Sequence, residues 1–241
     1  MEGYIDIHSH ILPGFDDGSR SIEQTMSMAE IAQMEGIRVI IATPHFKLGR
    51  IMPSPLEIEK CLNQIQDKLD SQGSQIRLLP GSEIYYSHDI ASLLSEKKIL
   101  TLAFSRYVLV EFSPFVEYRY IKSALQDLLL EGYLPIIAHI ERYHNLWKDY
   151  EIIQEIVNMG AYVQVNAPSI LGDLGKKYKK RCKHLLKDKL VHFIATDSHN
   201  PDNRAPILKK CMAYIEKKYD IEYINQIFVE NPNKILNDEF I

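Results

Sequence analysis

The sequence predicts an α/β fold: a closed barrel of about seven strand-helix units. Three observations predict it. Short apolar or β-branched runs alternate with helical stretches along the chain, which implies a parallel sheet with helices outside it. Seven or eight such units in 241 residues suit a closed barrel better than an open sheet. Almost every apolar run also ends at a His, Asp, Glu or Arg. In a β/α barrel those ends converge on one face, where active sites are built.

The first strand covers 4–7 and continues into Asp6-Ile7-His8-Ser9-His10. Side chains two apart on a strand share a face, so His8 and His10 can reach one metal ion together. A Gly/Pro turn then brings Asp16 and Asp17 to the same rim. Ser21 is placed to cap a helix over 22–36, which Gly36 ends. The β-branched run 38–42 is a buried strand stopping at Thr43-Pro44-His45. Pro53 and Pro55 bracket a loop that enters a helix at 56–69. A strand at 76–79 ends at Pro80-Gly81-Ser82-Glu83, and a short helix follows near 89–94.

Strand 107–110 ends at Glu111, and helix 118–131 stops at Gly132. Strand 134–138 ends at His139-Ile140-Glu141-Arg142-Tyr143. A helix at 150–159 precedes a strand at 161–165, which ends at Asn166-Ala167-Pro168. The basic stretch 176–187 reads as a helix. The last clear strand, 192–195, ends at Thr196-Asp197-Ser198-His199. Helices near 205–218 and 222–228 close the chain.

Bulk properties narrow the function. No Pro/Gly/Ser-rich stretch or charge block divides the chain, so one domain over 1–241 is expected. A net charge of -4 argues against general nucleic-acid binding, which leaves a basic footprint. No apolar run reaches the roughly 18 residues of a membrane span. The first residues lack a basic and then apolar leader, so no signal peptide is expected. Cys61, Cys182 and Cys211 are odd in number and far apart, which fits a reducing cytoplasm.

His8, His10, His45, His139 and His199 join Asp17, Glu83, Glu111 and Asp197 at the predicted rim, with Asp16 an alternative to its neighbour. An all-nitrogen-and-oxygen set without cysteine suits manganese, iron, zinc or magnesium. Nine ligands are too many for one ion and suit two or three, roughly 3.5–4 Å apart. Such a cluster lowers the pKa of a bridging water to give hydroxide at neutral pH. Arg142 and Arg204 follow two of these positions, and a planar guanidinium fits phosphate oxygens bidentately. Together they point to phosphoester hydrolysis. A phenol, with a pKa of about 10, leaves without a strong general acid.

These residues carry a resemblance. Asp6-Ile7-His8-Ser9-His10 with Asp16-Asp17-Gly18, Ala42-Thr43-Pro44-His45, Gly81-Ser82-Glu83-Ile84-Tyr85-Tyr86, Val110-Glu111-Phe112, Ala138-His139-Ile140-Glu141-Arg142-Tyr143 and Thr196-Asp197-Ser198-His199 with Arg204 occur in order. The chain resembles the polymerase-and-histidinol-phosphatase (PHP) superfamily. Within it, the chain is most similar to the bacterial manganese-dependent protein-tyrosine phosphatases encoded beside capsule or exopolysaccharide genes. The resemblance implies a distorted (β/α)7 barrel and a trinuclear site. It puts His8, His10, Glu83 and Asp197 on one ion. Glu83, Glu111 and His139 hold the second, and Asp17, His45 and His199 the third. Arg142 and Arg204 hold the phosphate. The substrate it implies is the phosphotyrosine tail of a bacterial tyrosine kinase controlling polysaccharide export, with any membrane contact peripheral and through that kinase.

Plainer readings cover the rest. His88, His144, His184 and His192 are expected to be ordinary core or surface histidines. Asp16 is expected to shape the turn before Gly18. After five intervening residues the three cysteines meet Asp67, Asp188 and Lys217, so none heads the Cys-to-Arg loop of a thiol phosphatase. The run Lys176 to Lys183 is most simply a solvated helix face, with a dock for an acidic partner or a membrane surface as the sharper reading. Competing functions are a small-molecule phosphatase such as one acting on histidinol phosphate, a metal amidohydrolase, and a non-catalytic metal-binding PHP module.

Overall fold

The parallel barrel is present, built from nine strands where seven are expected, because two of its staves are broken. The computed structural model describes residues 3–241. Its strands are β1 (Tyr4–Ser9), β2 (Ile37–Ala42), β3 (His45–Phe46), β4 (Arg77–Pro80), β5 (Glu83–Tyr85), β6 (Tyr107–Glu111), β7 (Leu134–Ile137), β8 (Tyr162–Asn166) and β9 (Phe193–Ala195). They pair as β1-β2-β4 and as β3-β5-β6-β7-β8-β9. Every pair is parallel.

Thr43-Pro44 interrupts one stave between β2 and β3, and Gly81-Ser82 interrupts the next between β4 and β5. Proline supplies no ladder N–H at the first break. At the second, a Cβ on Gly81 would meet Ile41 Cγ2 at 2.9 Å and Leu102 Cδ2 at 3.0 Å. A single turn, Leu102–Phe104, touches both β4 and β6 below that break. On the other side β1 meets the residues after β9. Asp197 N–H donates to the His8 carbonyl (2.9 Å) and His10 N–H to the Ser198 carbonyl (2.8 Å).

The interior changes character from bottom to top. Ile5, Ile7, Val39, Ile41, Tyr107, Leu109, Ile136, Tyr162 and Phe193 form a buried inner cluster. Two or four residues further up the same inward faces stand Glu111 on β6, Gln164 and Asn166 on β8, and Asp197 after β9. Strand β1 departs from simple alternation: Ile7 belongs to the inner cluster, yet its neighbour His8 also faces the barrel axis. A register shift between Asp6 and Ser9 permits this, as an irregularity re-aims side chains beside a site.

Helices α1 (Ile22–Met34), α2 (Pro55–Ser71), α3 (Ile90–Ser95), α4 (Tyr118–Leu130), α5 (Glu151–Asn158), α6 (Ala167–Leu171) and α7 (Lys176–Lys187) cover the outside. Ser21 does cap α1, accepting from Gln24 N–H. Three expectations change. The helix expected from 205 starts only at Lys209 (α8, Lys209–Ile215), where Glu35, just after α1, accepts from the Leu208 and Lys209 N–H groups. The last helix does not stop at 228. Helix α9 (Ile221–Asn225) passes through a wide turn at Gln226–Glu230 into α10 (Asn231–Asn237), whose Pro232 sits in the first turn, where a missing N–H costs nothing. Finally, α7 is not purely a solvated face: Arg181, Cys182, Leu185 and Leu186 are buried. Among the described residues, no helix is long and apolar enough to cross a membrane.

Candidate metal centre

All nine expected ligand residues meet at the C-terminal mouth of the barrel. Glu83 is central. Its Oε2 lies 3.3 Å from His8 Nε2, 3.2 Å from His10 Nε2 and 3.0 Å from His45 Nδ1, and its Oε1 lies 2.8 Å from His139 Nε2. Asp197 Oδ1 stands 3.6 Å from both His8 Nε2 and His10 Nε2. Glu111 lies 3.4 Å from His45 and 3.7 Å from His139. Asp17 Oδ1, at the exposed lip, is 3.5 Å from both His45 Nε2 and His199 Nε2. Three groups of donors emerge: His8, His10 and Asp197; His45, Glu83 and Glu111; and His10, Asp17, His45 and His199. His10 and His45 each face two groups, where the resemblance implies one apiece.

The outer nitrogens of three histidines are oriented by acceptors. His8 Nδ1 lies 3.3 Å from Gln164 Oε1, and His10 Nδ1 lies 2.7 Å from Asp16 Oδ2. His199 Nδ1 lies 3.0 Å from the Asp197 carbonyl. Each outer nitrogen faces an acceptor, which suits it to carry the proton when Nε2 faces a cation. The Nε2 atoms of His8 and His10 face each other at 3.3 Å in a buried site, each within 3.3 Å of Glu83 Oε2. Donors packed this closely need a cation or protons among them to balance the Glu83 charge. Donors about 2.1 Å from one ion are roughly 3.0–3.4 Å apart in octahedral or tetrahedral geometry, close to the spacing seen here. The residues fit a metal cluster.

Electrostatics agree. Burial alone would raise the Glu83 carboxyl, but His8, His10, His139 and His45 hold it well below the usual range. Burial would lower His10, yet Asp16 and Glu83 raise it well above the ordinary imidazole value. Burial and the Glu83 charge push Glu111 up to about 7. Burial opposes ionisation of Asp197, but His8, Arg142, His139 and Arg204 keep it low. Glu83 and Asp197 are thus ionised carboxylates that attract cations, with protons competing for the imidazoles and for Glu111.

Two strained backbone positions fall at this rim. His139 (φ 35°) and Asp197 (φ 52°) are left-handed non-glycine residues two positions past the ends of β7 and β9. Each such residue costs about 1–3 kcal/mol, which the surrounding contacts must offset. The turns they make direct Arg142 and Arg204 back over the site. Arg142 Nη2 donates to Asp197 Oδ2 (2.8 Å), and Arg204 Nη2 donates to Asp197 Oδ1 (3.0 Å).

Several supporting residues had no such role from sequence. Asp16 shapes the turn as expected, accepting from Gly18 N–H, but it also holds His10 Nδ1 and accepts from His45 N–H. Gln164 accepts from His139 N–H (2.8 Å) and donates to Asn166 Oδ1, while Asn166 Nδ2 donates to Asp197 Oδ2 (2.7 Å). Asp6 accepts from the Thr196 N–H and hydroxyl, fastening β1 to the end of β9. Two polar residues spaced by two in the apolar strand Tyr162–Asn166 are the signal that could have found the β8 pair. Asp16→Ala is expected to weaken metal affinity about 10–100-fold, the usual cost of losing an orienting partner. Titration of metal-stripped protein by calorimetry checks this; unchanged affinity would remove Asp16 from that role.

Comparison with known proteins places this geometry. The family model described as "Capsular polysaccharide synthesis, CpsB/CapC" matches residues 4–237. A tyrosine-protein phosphatase CpsB of Streptococcus agalactiae is 36% identical over 242 residues, covering 98% of this chain and all of the relative. Tyrosine-protein phosphatase YwqE of Bacillus subtilis is 33% identical, covering 98% of this chain and 93% of the relative. A solved structure from work on YwqE of Bacillus subtilis and CpsB of Streptococcus pneumoniae, described there as unique metal-dependent tyrosine phosphatases, superimposes with a TM-score of 0.93 at 32% identity. It covers 98% of this chain and 96% of that one.

Proposed function

The chain belongs to the CpsB/CapC family of capsular polysaccharide synthesis, and on that premise we propose that it is a metal-dependent phosphotyrosine-protein phosphatase. The observation that carries this reading is a single rim where nine metal-type donors lie beside two arginines that share one carboxylate. His8, His10, Glu83 and Asp197 would hold one ion, Glu83, Glu111, His139 and His45 a second, and Asp17, His45 and His199 a third. When bound, such ions lower the pKa of water and offset charge on phosphoryl oxygens. Manganese is the proposed native metal, as the resemblance implies. The donor chemistry suits a hard or borderline divalent ion of this kind.

The chain's own residues supply binding and orientation. Arg142 and Arg204 line a cleft of about 270 Å³ together with Asn166, Pro168, Leu171 and Leu174. Each guanidinium spends only Nη2 on Asp197, so the other donors are free for phosphate oxygens. The apolar side chains of the same cleft suit the ring of a phosphotyrosine. A phenol leaving group asks little of a general acid, so no dedicated proton donor is assigned. The proposed substrate is the phosphotyrosine-bearing tail of a bacterial tyrosine kinase acting in capsule or exopolysaccharide synthesis, met in the cytoplasm.

The direct test is hydrolysis of a phosphotyrosine peptide by chelator-stripped protein, with manganese added back and His8→Ala as the control. Turnover is expected to vanish on stripping, return with manganese, and stay absent in the variant. Equal turnover with and without metal would overturn the reading. So would inertness with manganese, iron, zinc and magnesium alike.

A further inference from the structure

Away from the metal centre, α7 is the most lopsided element in charge. Its twelve residues include six lysines and Arg181 and no acid. Among the described residues none of these lysines enters an ion pair. Two of them have other partners: Lys179 Nζ donates to the Leu171 carbonyl, and Lys177 Nζ lies 3.2 Å from His144 Nδ1. In a chain of net charge -4, this is a local excess of positive charge.

That charge borders a groove of about 380 Å³, lined by Trp147, Tyr150, Lys177, Lys180, Arg181 and His184. The Trp147 and Tyr150 rings are 5.6 Å apart, and the Arg181 guanidinium sits 5.0 Å from the Trp147 ring. Trp147 Nε1 is shielded from solvent and has no hydrogen-bond partner. None of these six lining residues is acidic, and Asp188, against Tyr150, is the carboxylate nearest that ring. It therefore offers positive charge at the rim and aromatic surface at the floor. It is also joined to the metal centre. Arg181 donates to the carbonyl of Glu141, the residue before Arg142 (2.6 Å). Leu171, Asp173 and Leu174 line the arginine cleft, and the chain then runs directly into α7.

We propose that this groove binds an acidic segment of the protein substrate, beside the phosphorylated tyrosine held at the metal centre. The proposal rests on the phosphatase reading for its purpose, and on charge complementarity and shape for its occupant. A concave channel with an aromatic floor admits a single extended chain, whereas a flat lipid surface would meet only the outermost lysines. Exposed charge pairs are individually weak and salt-screened, so the groove would act on substrate capture rather than on the chemical step.

Trp147 is the only tryptophan, so its fluorescence reports the groove directly. Titration with an unphosphorylated Glu/Asp-rich peptide is expected to give a saturable change, roughly tenfold weaker at high salt. Lys177→Glu/Lys180→Glu, both exposed positions, should abolish it. The same variant should raise KM for an acid-flanked phosphotyrosine peptide about tenfold, leaving kcat and p-nitrophenyl phosphate turnover unchanged. The absence of a saturable change, an equal change with a neutral peptide, or a change only with phosphatidylglycerol vesicles would each overturn the proposal. Because the binding arm uses no phosphate, a protein that binds the peptide but hydrolyses nothing would refute the phosphatase reading alone.

Discussion

Glu83→Ala is expected to produce a folded protein that neither retains its metals nor hydrolyses phosphotyrosine. One carboxylate here lies within 3.3 Å of nitrogens on His8, His10, His45 and His139, which come from two strand ends and the start of a third. Removing it takes a donor from two of the proposed ion positions at once. It also leaves four buried or half-buried imidazoles facing one another with no anion to balance a cation or a proton. Loss of an outer partner already costs about 10–100-fold in affinity or activity, so loss of this shared donor should exceed about 100-fold. Metal content by elemental analysis and turnover on a phosphotyrosine peptide check the two parts. Glu83→Gln separates charge from shape: it keeps one acceptor oxygen but not the negative charge, and it should also lose most bound metal. Full metal content with normal turnover in either variant would end the central role given to Glu83.

Much of this site was legible because a parallel barrel aligns every strand end. His8, His10, Glu111, His139 and Asp197 could be located by the last apolar residue before each of them, and period two placed the first pair on one face. What escaped had physical reasons. Pro44 and Gly81 look like strand ends, yet the staves resume as β3 and β5 beyond them, which is how His45 and Glu83 come to be paired residues of the barrel wall. Pro232 reads as a breaker, but in a first turn it begins a helix. Arg181 within a lysine run reads as solvated, though its guanidinium holds a backbone carbonyl beside the site. Gln164 and Asn166 carry no metal-ligand signature. Their importance lies in contacts between β8, the end of β7 and the end of β9, which no single stretch of sequence displays.

Arg142→Ala and Arg204→Ala are each expected to lower kcat/KM for an aryl phosphate by about 10²–10³-fold, the scale seen when one preorganised donor to a developing charge is removed. Metal content should be retained. The rival account is that the arginines merely steer Asp197, since both donate to it. Asn166 also donates to that carboxylate at 2.7 Å, so Asp197 keeps a partner when either guanidinium is gone. Under the rival account, any activity lost should follow metal lost, and inorganic phosphate should inhibit the variants as well as the parent. Under phosphate binding, inhibition by inorganic phosphate should weaken along with turnover while the metals stay. Arg→Lys restores the charge but not the planar fork, so it should recover only part of the loss. The two arginines meet the same carboxylate and, on this reading, the same phosphate. Their double variant should therefore fall short of the sum of the single losses, because residues in one network couple. Strict additivity with unchanged phosphate inhibition would assign both arginines to structure alone.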